Sequence, residues 1–181
     1  YAHNAVIRNL GIENSYFETR GNYAGAVVGV FSSLANDRSE IYCCFARDNY
    51  ISANKFVGGF AGEIITINST AKMNITNCYT SDSYIESFLG QYVGGFSGLI
   101  QSAGAYTLIR NCYSNNLIYI YADEPIAAIF SGDIIRVNSS EISIYECYCY
   151  CDTMWGAFSY YSEDSDIATP VEGVTIRKVI G

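Results

Sequence analysis

The sequence predicts an all-β fold, a parallel β-solenoid resembling a right-handed β-helix, of about five imperfect repeats of roughly 34 residues. Three observations predict it. An Ile, two residues, a Cys and an aromatic recur along the chain. A glycine-rich apolar segment recurs in step with them. The composition, finally, is that of strands: hydrophobic residues make up 50% and charged residues 15%, with 17 Tyr but only 2 Pro. Ile, Val, Tyr, Phe and Thr favour pleated half-buried strands, whereas the Leu, Glu and Lys of helices are sparse.

Taken in chain order, residues 1–11 read as a strand of a partial preceding repeat, and Ile12-Glu13-Asn14-Ser15-Tyr16 as a degenerate landmark with Ser in place of Cys. Full landmarks follow at Ile41-Tyr42-Cys43-Cys44-Phe45, Ile75-Thr76-Asn77-Cys78-Tyr79, Ile109-Arg110-Asn111-Cys112-Tyr113 and Ile144-Tyr145-Glu146-Cys147-Tyr148. Cys44, Cys78, Cys112 and Cys147 are thus separated by 34, 34 and 35 residues. The glycine segment is clearest at Phe56-Val57-Gly58-Gly59-Phe60-Ala61-Gly62 and Tyr92-Val93-Gly94-Gly95-Phe96-Ser97-Gly98. Weaker copies end at Gly29 and Gly132, and Gly156-Ala157-Phe158-Ser159 is a truncated fifth. Between landmarks lie apolar runs such as Glu63-Ile64-Ile65-Thr66-Ile67 and Leu117-Ile118-Tyr119-Ile120-Tyr121, bounded by Ser, Asn, Asp and Gly. These are strands joined by turns.

One such unit cannot bury its own strands, but stacked units share a continuous core in which each repeat contacts the next. Equivalent residues then lie one above another at the strand spacing of about 4.8 Å. The expected internal ladders are Ile41, Ile75, Ile109 and Ile144, and beside them Cys44, Cys78, Cys112 and Cys147. Paired glycines mark either close backbone approach or a turn with φ > 0. A period of 34 also belongs to tetratricopeptide helices, but the apolar positions do not recur at three and four, and Gly-Gly pairs weaken helices. The solenoid is expected over residues 1–160, with 161–181 an exit loop followed by a terminal strand or a link to a further domain. The absence of an initial Met suggests an excised piece or a mature segment, so the lack of a leader says little about secretion.

The pairing of Ile-x-Asn-Cys-Tyr with Tyr/Phe-Val-Gly-Gly-Phe-x-Gly resembles the GLUG repeat of bacterial surface proteins, which also occurs beside IgA-cleaving metallopeptidase domains. The likeness spans roughly residues 12–160 and is best from Ile41 to Gly98. It departs from the pattern at Ala128-Ile129, which replace the Gly-Gly pair, and at Tyr160, which replaces the closing Gly. The resemblance implies a secreted or wall-attached protein with the repeats as a β-helical stalk or adhesive module. It supplies no catalytic residue.

The residues themselves narrow the chemistry. Net charge is −8, from 10 basic and 18 acidic residues, and no Lys/Arg cluster exists to displace phosphate counterions. Nucleic acid and anionic membrane are therefore not expected as partners, and no apolar run is long enough to span a bilayer. Seven cysteines, placed inside the repeat, argue for buried thiols rather than a disulfide framework. Cys147, Cys149 and Cys151 form the one dense group, a weak metal candidate because structural zinc usually takes C-x2-4-C pairs. His3 is the single histidine, so neither a His-based triad nor a His-bearing zinc site fits, and no H-E-x-x-H is present. Asp123-Glu124 and Glu163-Asp164-Ser165-Asp166 are read as solvated loop charges, since a glycosidase needs two carboxyls facing across a cleft.

Tyrosine is the remaining candidate. Tyr119 and Tyr121, like Tyr148 and Tyr150, are two apart and so share a strand face; with Trp155 they form an aromatic flank that a carbohydrate or protein ligand can contact. Asn68-Ser69-Thr70, Asn74-Ile75-Thr76 and Asn138-Ser139-Ser140 match the glycosylation sequon. The expectation is a non-catalytic extracellular or cell-surface module, without cofactor, that binds glycan or host protein. A β-helical polysaccharide lyase or hydrolase is the alternative, and a filament unit self-associating through open solenoid ends is a third reading.

Overall fold

The computed structural model describes residues 1–34, 38–104, 106–121, 126–137, 140–150, 159–160 and 174–177, and every helix or strand among them is a strand. The first coil runs through β1 (Ala2–His3), β2 (Val6–Arg8), β3 (Gly11–Glu13), β4 (Tyr16–Glu18) and β5 (Tyr23–Ala24). The second repeats the path as β6 (Val28–Ser33), β7 (Arg38–Tyr42), β8 (Phe45–Arg47), β9 (Tyr50–Ala53) and β10 (Phe56–Gly58). The third is β11 (Ala61–Thr66), β12 (Lys72–Thr76), β13 (Tyr79–Ser87) and β14 (Val93–Gly94). The fourth is β15 (Ser97–Ser102), β16 (Tyr106–Arg110), β17 (Tyr113–Ile120) and β18 (Ala127–Ala128). Above these four turns lie β19 (Ser131–Arg136), β20 (Glu141–Tyr145) and β21 (Tyr148–Tyr150), then β22 (Ser159–Tyr160) and β23 (Val174–Arg177).

Strands at the same stage of successive coils pair in parallel and build four sheets. The first sheet is β1-β6-β11-β15-β19-β22, and the second is β2-β7-β12-β16-β20-β23. The third combines β3-β8-β13-β17-β21 with β4 and β9, and the fourth is β5-β10-β14-β18. The chain is therefore a parallel β-solenoid, and its four complete turns with part of a fifth lie close to the five repeats expected. Because β23 pairs with β20, the second sheet continues past residue 160.

Register places Ile7, Ile41, Ile75, Ile109 and Ile144 in one column of the second sheet, the last four buried. Next to it, at the corner into the third sheet, Cys44, Cys78, Cys112 and Cys147 are buried one per coil. The first landmark is displaced from its expected position. Ile7, not Ile12, pairs with Ile41, while Ile12 pairs with Ala46, so Leu10 stands where later coils carry Cys. The cause is local: two corners of the first coil read Ile, one residue, then an Asn at positive φ, with Asn9 at 53° and Asn14 at 50°. Asn tolerates the left-handed region better than branched residues do. The first corner continues through Cys43, Asn77, Asn111 and Glu146, and the second through Asp48 and Asp82, all at positive φ.

The glycine segment forms the corner between the fourth and first sheets. Here close approach, not left-handed backbone, requires glycine. A Cβ on Gly58 would lie 2.1 Å from the Ala61 carbonyl oxygen, and one on Gly94 2.1 Å from that of Ser97. The turn brings Phe60, Phe96 and Phe130 inside, fully buried and stacked face to face at 4.7 and 4.8 Å. Each such ring contributes about 1.5–3 kcal/mol by leaving water. The interior has two compartments. One lies between the first and second sheets and holds the Ile, Cys and Phe columns; the other joins the third and fourth sheets through Ala46, Ile51, Val57, Ile85, Val93 and Ile118.

Candidate functional site: the outer face of the third sheet

Alternation along the third sheet sends one set of side chains into the core and the other outward. The outward set is aromatic in two columns. Along the nearer half, Phe45, Tyr79, Tyr113 and Tyr148 stand in register above Gly11. These are the aromatic residues of the landmark itself. Along the farther half, Tyr16, Tyr50, Tyr84 and Tyr119 stack at 4.6, 5.4 and 4.5 Å with interplanar angles of 5°, 11° and 16°. A third external column, Tyr23, Phe56 and Tyr92, runs along the fourth sheet at 4.7 and 5.0 Å.

Between the two columns the third sheet bends, and short polar side chains turn inward to satisfy the backbone there. The Asn49 Oδ1 accepts from the Ser15 backbone N–H at 2.9 Å, and the Asn49 N–H donates to Ser83 Oγ at 3.1 Å. One coil on, Asn116 Oδ1 accepts from the Ser83 N–H at 3.0 Å and its amide donates to the Gly95 carbonyl at 2.9 Å. Asn49, Ser83 and Asn116 are buried. This relay holds the two aromatic columns at an angle to one another.

The two columns differ in what they present. In the farther one each ring covers its neighbour's face, so solvent meets ring edges and hydroxyls. Two of those hydroxyls are held by carboxylates: Tyr16 donates to Glu18 and Tyr50 to the buried Glu86. The hydrogen bond to Glu86 pushes the Tyr50 phenol up to about 12, with burial adding to the rise. In the nearer column Phe45 and Tyr79 stack at 5.1 Å, but no ring contact joins Tyr79, Tyr113 and Tyr148, each 36–37% exposed. Burial, followed by the charge of Asp82, raises the Tyr113 phenol.

Tyr119, Tyr121, Tyr148 and Tyr150 are all exposed on this face, but in separate groups. Tyr119 and Tyr121 belong to an apolar patch with Leu117, Phe88 and Leu89, all at least 38% exposed, in which Phe88 and Tyr121 rings lie 6.5 Å apart. Tyr148 and Tyr150 lie on β21, across the bend. Trp155 and Cys151 lie outside the described residues, as do Asp123-Glu124 and Glu163 to Asp166. Tyr16 is the aromatic of the degenerate landmark in the sequence, yet it stands over Tyr50 and Tyr84, whose spacing of 34 is the repeat period itself, and not over Phe45. A cleft of about 330 Å³ in the first coil, which no motif of the sequence marks, lies where Tyr16, Glu18, Thr19 and Tyr23 bring the ends of two aromatic columns together.

The remaining candidates are structural in position. The thiols of Cys78, Cys112 and Cys147 donate to the carbonyls of Thr76, Arg110 and Tyr145 at 3.2–3.3 Å. Burial pushes the Cys112 thiol up. Hydrogen bonding with Cys78 raises the Cys44 thiol, and hydrogen bonds with Cys112 first and Cys44 next lower that of Cys78, but no positive charge acts on either, so burial keeps the column neutral. Cys149 is buried opposite Ser114 and Cys147 ends the corner column. Among the described residues no group of three or more His, Cys, Asp or Glu gathers as a metal site. His3 pairs with Ser32 on the first sheet. On the outer side of that sheet Glu63 and Asp133 share a column with Val30 and Leu99, and burial raises both carboxyls.

Comparison with protein-family models, with curated proteins and with solved structures returned no match. Among the described residues no helix is long and apolar enough to cross a membrane.

Proposed function

We propose that this chain is a non-catalytic repeat module of an extracellular or cell-surface protein, a rigid spacer that also adheres to a partner through the outer face of its third sheet. The observation that carries the reading is the exposed apolar group of Phe88, Leu89, Leu117, Tyr119 and Tyr121, on and just past β13 and β17 of the third sheet. Contiguous exposed apolar surface is costly to keep in water unless something docks there, and Tyr and Phe supply rigid contact area at low entropy cost. The edge-on rings of the stacked column suit a protein surface. A sugar ring, which needs an uncovered aromatic face, fits the unstacked Tyr79, Tyr113 and Tyr148 and the first-coil cleft. The resemblance of the landmarks to GLUG repeats supports the same reading and brings the bacterial surface as its setting.

The test is binding of the purified chain to a panel of polysaccharides and host surface glycoproteins. Saturable binding is expected, lost in a Tyr119→Ser, Tyr121→Ser double variant whose thermal unfolding is unchanged. Failure of the wild-type chain to bind any member overturns the adhesive role.

A polysaccharide-cleaving enzyme is the second reading, favoured by Glu63 and Asp133. Two rungs apart on one outward column, their carboxylates are separated by about 10 Å, twice the strand spacing, near the upper end of an inverting pair. Release of reducing ends that disappears in Glu63→Gln would establish it.

A further inference from the structure

We propose that the stacked column Tyr16, Tyr50, Tyr84 and Tyr119 is a site of oxidative modification, at which Tyr16 and Tyr50 couple into a dityrosine that staples the first two coils. This reading is independent of the adhesive role, because it rests on the arrangement of the phenols alone.

Three features single out this pair. The rings are almost parallel, 5° apart, with centroids at 4.6 Å, and the two hydroxyls lie within hydrogen-bonding reach, which brings the ortho carbons beside them to the same edge of the stack. Each phenol already donates to a carboxylate, Tyr16 to Glu18 and Tyr50 to Glu86. A one-electron oxidant therefore meets a phenol whose proton has somewhere to go as the electron leaves. Tyr16 is 65% exposed, so an oxidant reaches the column there. Tyr119, 42% exposed, is a second point of entry, and the stacked rings of Tyr84 and Tyr50 connect it to Tyr16.

The co-reactant is a peroxide acting through a haem peroxidase. Each phenol gives up one electron and its hydroxyl proton, leaving two phenoxyl radicals. Their ortho carbons join in a new C–C bond. The two ring hydrogens at the joined carbons then move to the oxygens, restoring both aromatic phenols. In all, two electrons and two protons leave the protein, and one hydrogen peroxide takes them up to become two waters. The bond links residues 34 apart in sequence but adjacent in register on β4 and β9.

The protein carries its own comparison. Tyr113 and Tyr148 stand in register on neighbouring strands with the same rung spacing, but without ring contact. If register alone decided coupling, both pairs would react alike.

The experiment treats the dilute chain with a haem peroxidase and hydrogen peroxide, then maps joined peptides in the monomeric fraction by mass spectrometry. The expected result is dityrosine fluorescence in the monomer and a Tyr16–Tyr50 peptide pair lighter by two hydrogens. Tyr50→Phe keeps a stacked ring and an unchanged circular dichroism spectrum but loses that product. The proposal is overturned if no dityrosine forms, if only dimers are cross-linked, if Tyr113–Tyr148 couples as readily, or if the product joining Tyr16 survives in Tyr50→Phe.

Discussion

At Tyr50 a surface phenol and a buried carboxylate meet, and the contact is written into the alkaline behaviour of the chain. The neutral phenol donates to Glu86; a phenolate beside the same carboxylate would be repelled by it. The folded-state value is thus raised to about 12, above the ordinary value of about 10 that holds when the chain is unfolded. The contribution of this contact is fully present below pH 10 and is lost as pH rises towards 12. The ultraviolet difference titration between wild type and Tyr50→Phe should therefore show one phenol ionising near pH 12. Ionisation with the bulk of the exposed tyrosines would remove the Glu86 contact from the account. At this scale the sequence shows much through its period. Ile41, Ile75, Ile109 and Ile144 recur because copies one rung apart pack on one another in the same buried surroundings, so one side chain serves every coil. Tyr50 recurs equally with Tyr16 and Tyr84, but period alone does not tell an outward residue from an inward one. That requires knowing on which side of a corner the pleat restarts, and the corners at Asn9 and Asn14 look alike in sequence.

The third sheet is the element in which local chemistry decides the shape of the candidate surface. Its bend is not built from one repeated residue type: the short polar side chains of Asn49, Ser83 and Asn116 each accept from a backbone N–H of the preceding coil, at Ser15, Asn49 and Ser83. Ser and Asn alternate from coil to coil, so no single identity marks this position at the repeat period. The glycine corner is the opposite case. Backbones at Gly58 and Gly94 approach too closely for any side chain, so glycine recurs and is visible at once. Asn116 tests how far the bend depends on the relay. Replacing it with Ala leaves the buried Ser83 N–H without its acceptor, while the Gly95 carbonyl loses the amide but keeps the Gly59 N–H. Each buried group left unsatisfied costs about 1–3 kcal/mol. Asn116→Ala should therefore lower the free energy of unfolding from urea titration by about 1–3 kcal/mol, whereas Asn115→Ala on the adjoining outward position should change it by less than about 0.5 kcal/mol. Comparable losses at the two positions would mean that the bend is held by core packing instead.

The whole molecule is a stack, and stacks obey a nearest-neighbour rule. Each coil is stabilised by its own turns and by the interface with the coil on either side, so removing one complete coil should leave the others' interfaces intact. Register defines what a complete coil is. Ala61 pairs with Ser97 and Phe60 stacks on Phe96, so residues 61–96, 36 in number, carry the path once around and return it to its starting point one rung higher. Joining Phe60 directly to Ser97 would place β15 on β6, where β11 now lies, and would set Phe130 over Phe60 in the aromatic column. The shortened chain should retain its β-sheet circular dichroism and unfold in a single transition at a lower temperature, having lost one inter-coil interface. Deleting residues 61–78 instead removes only the first half of the same path. It would bring a strand of the third sheet to the place of the first, set the outward Tyr79 against the core, and leave the Phe60 ring without its neighbour. That chain should fail to fold. If the half-coil deletion folds as well as the full one, stability does not reside in columns of identical side chains, and the rigid spacing on which the aromatic surface depends is lost with it.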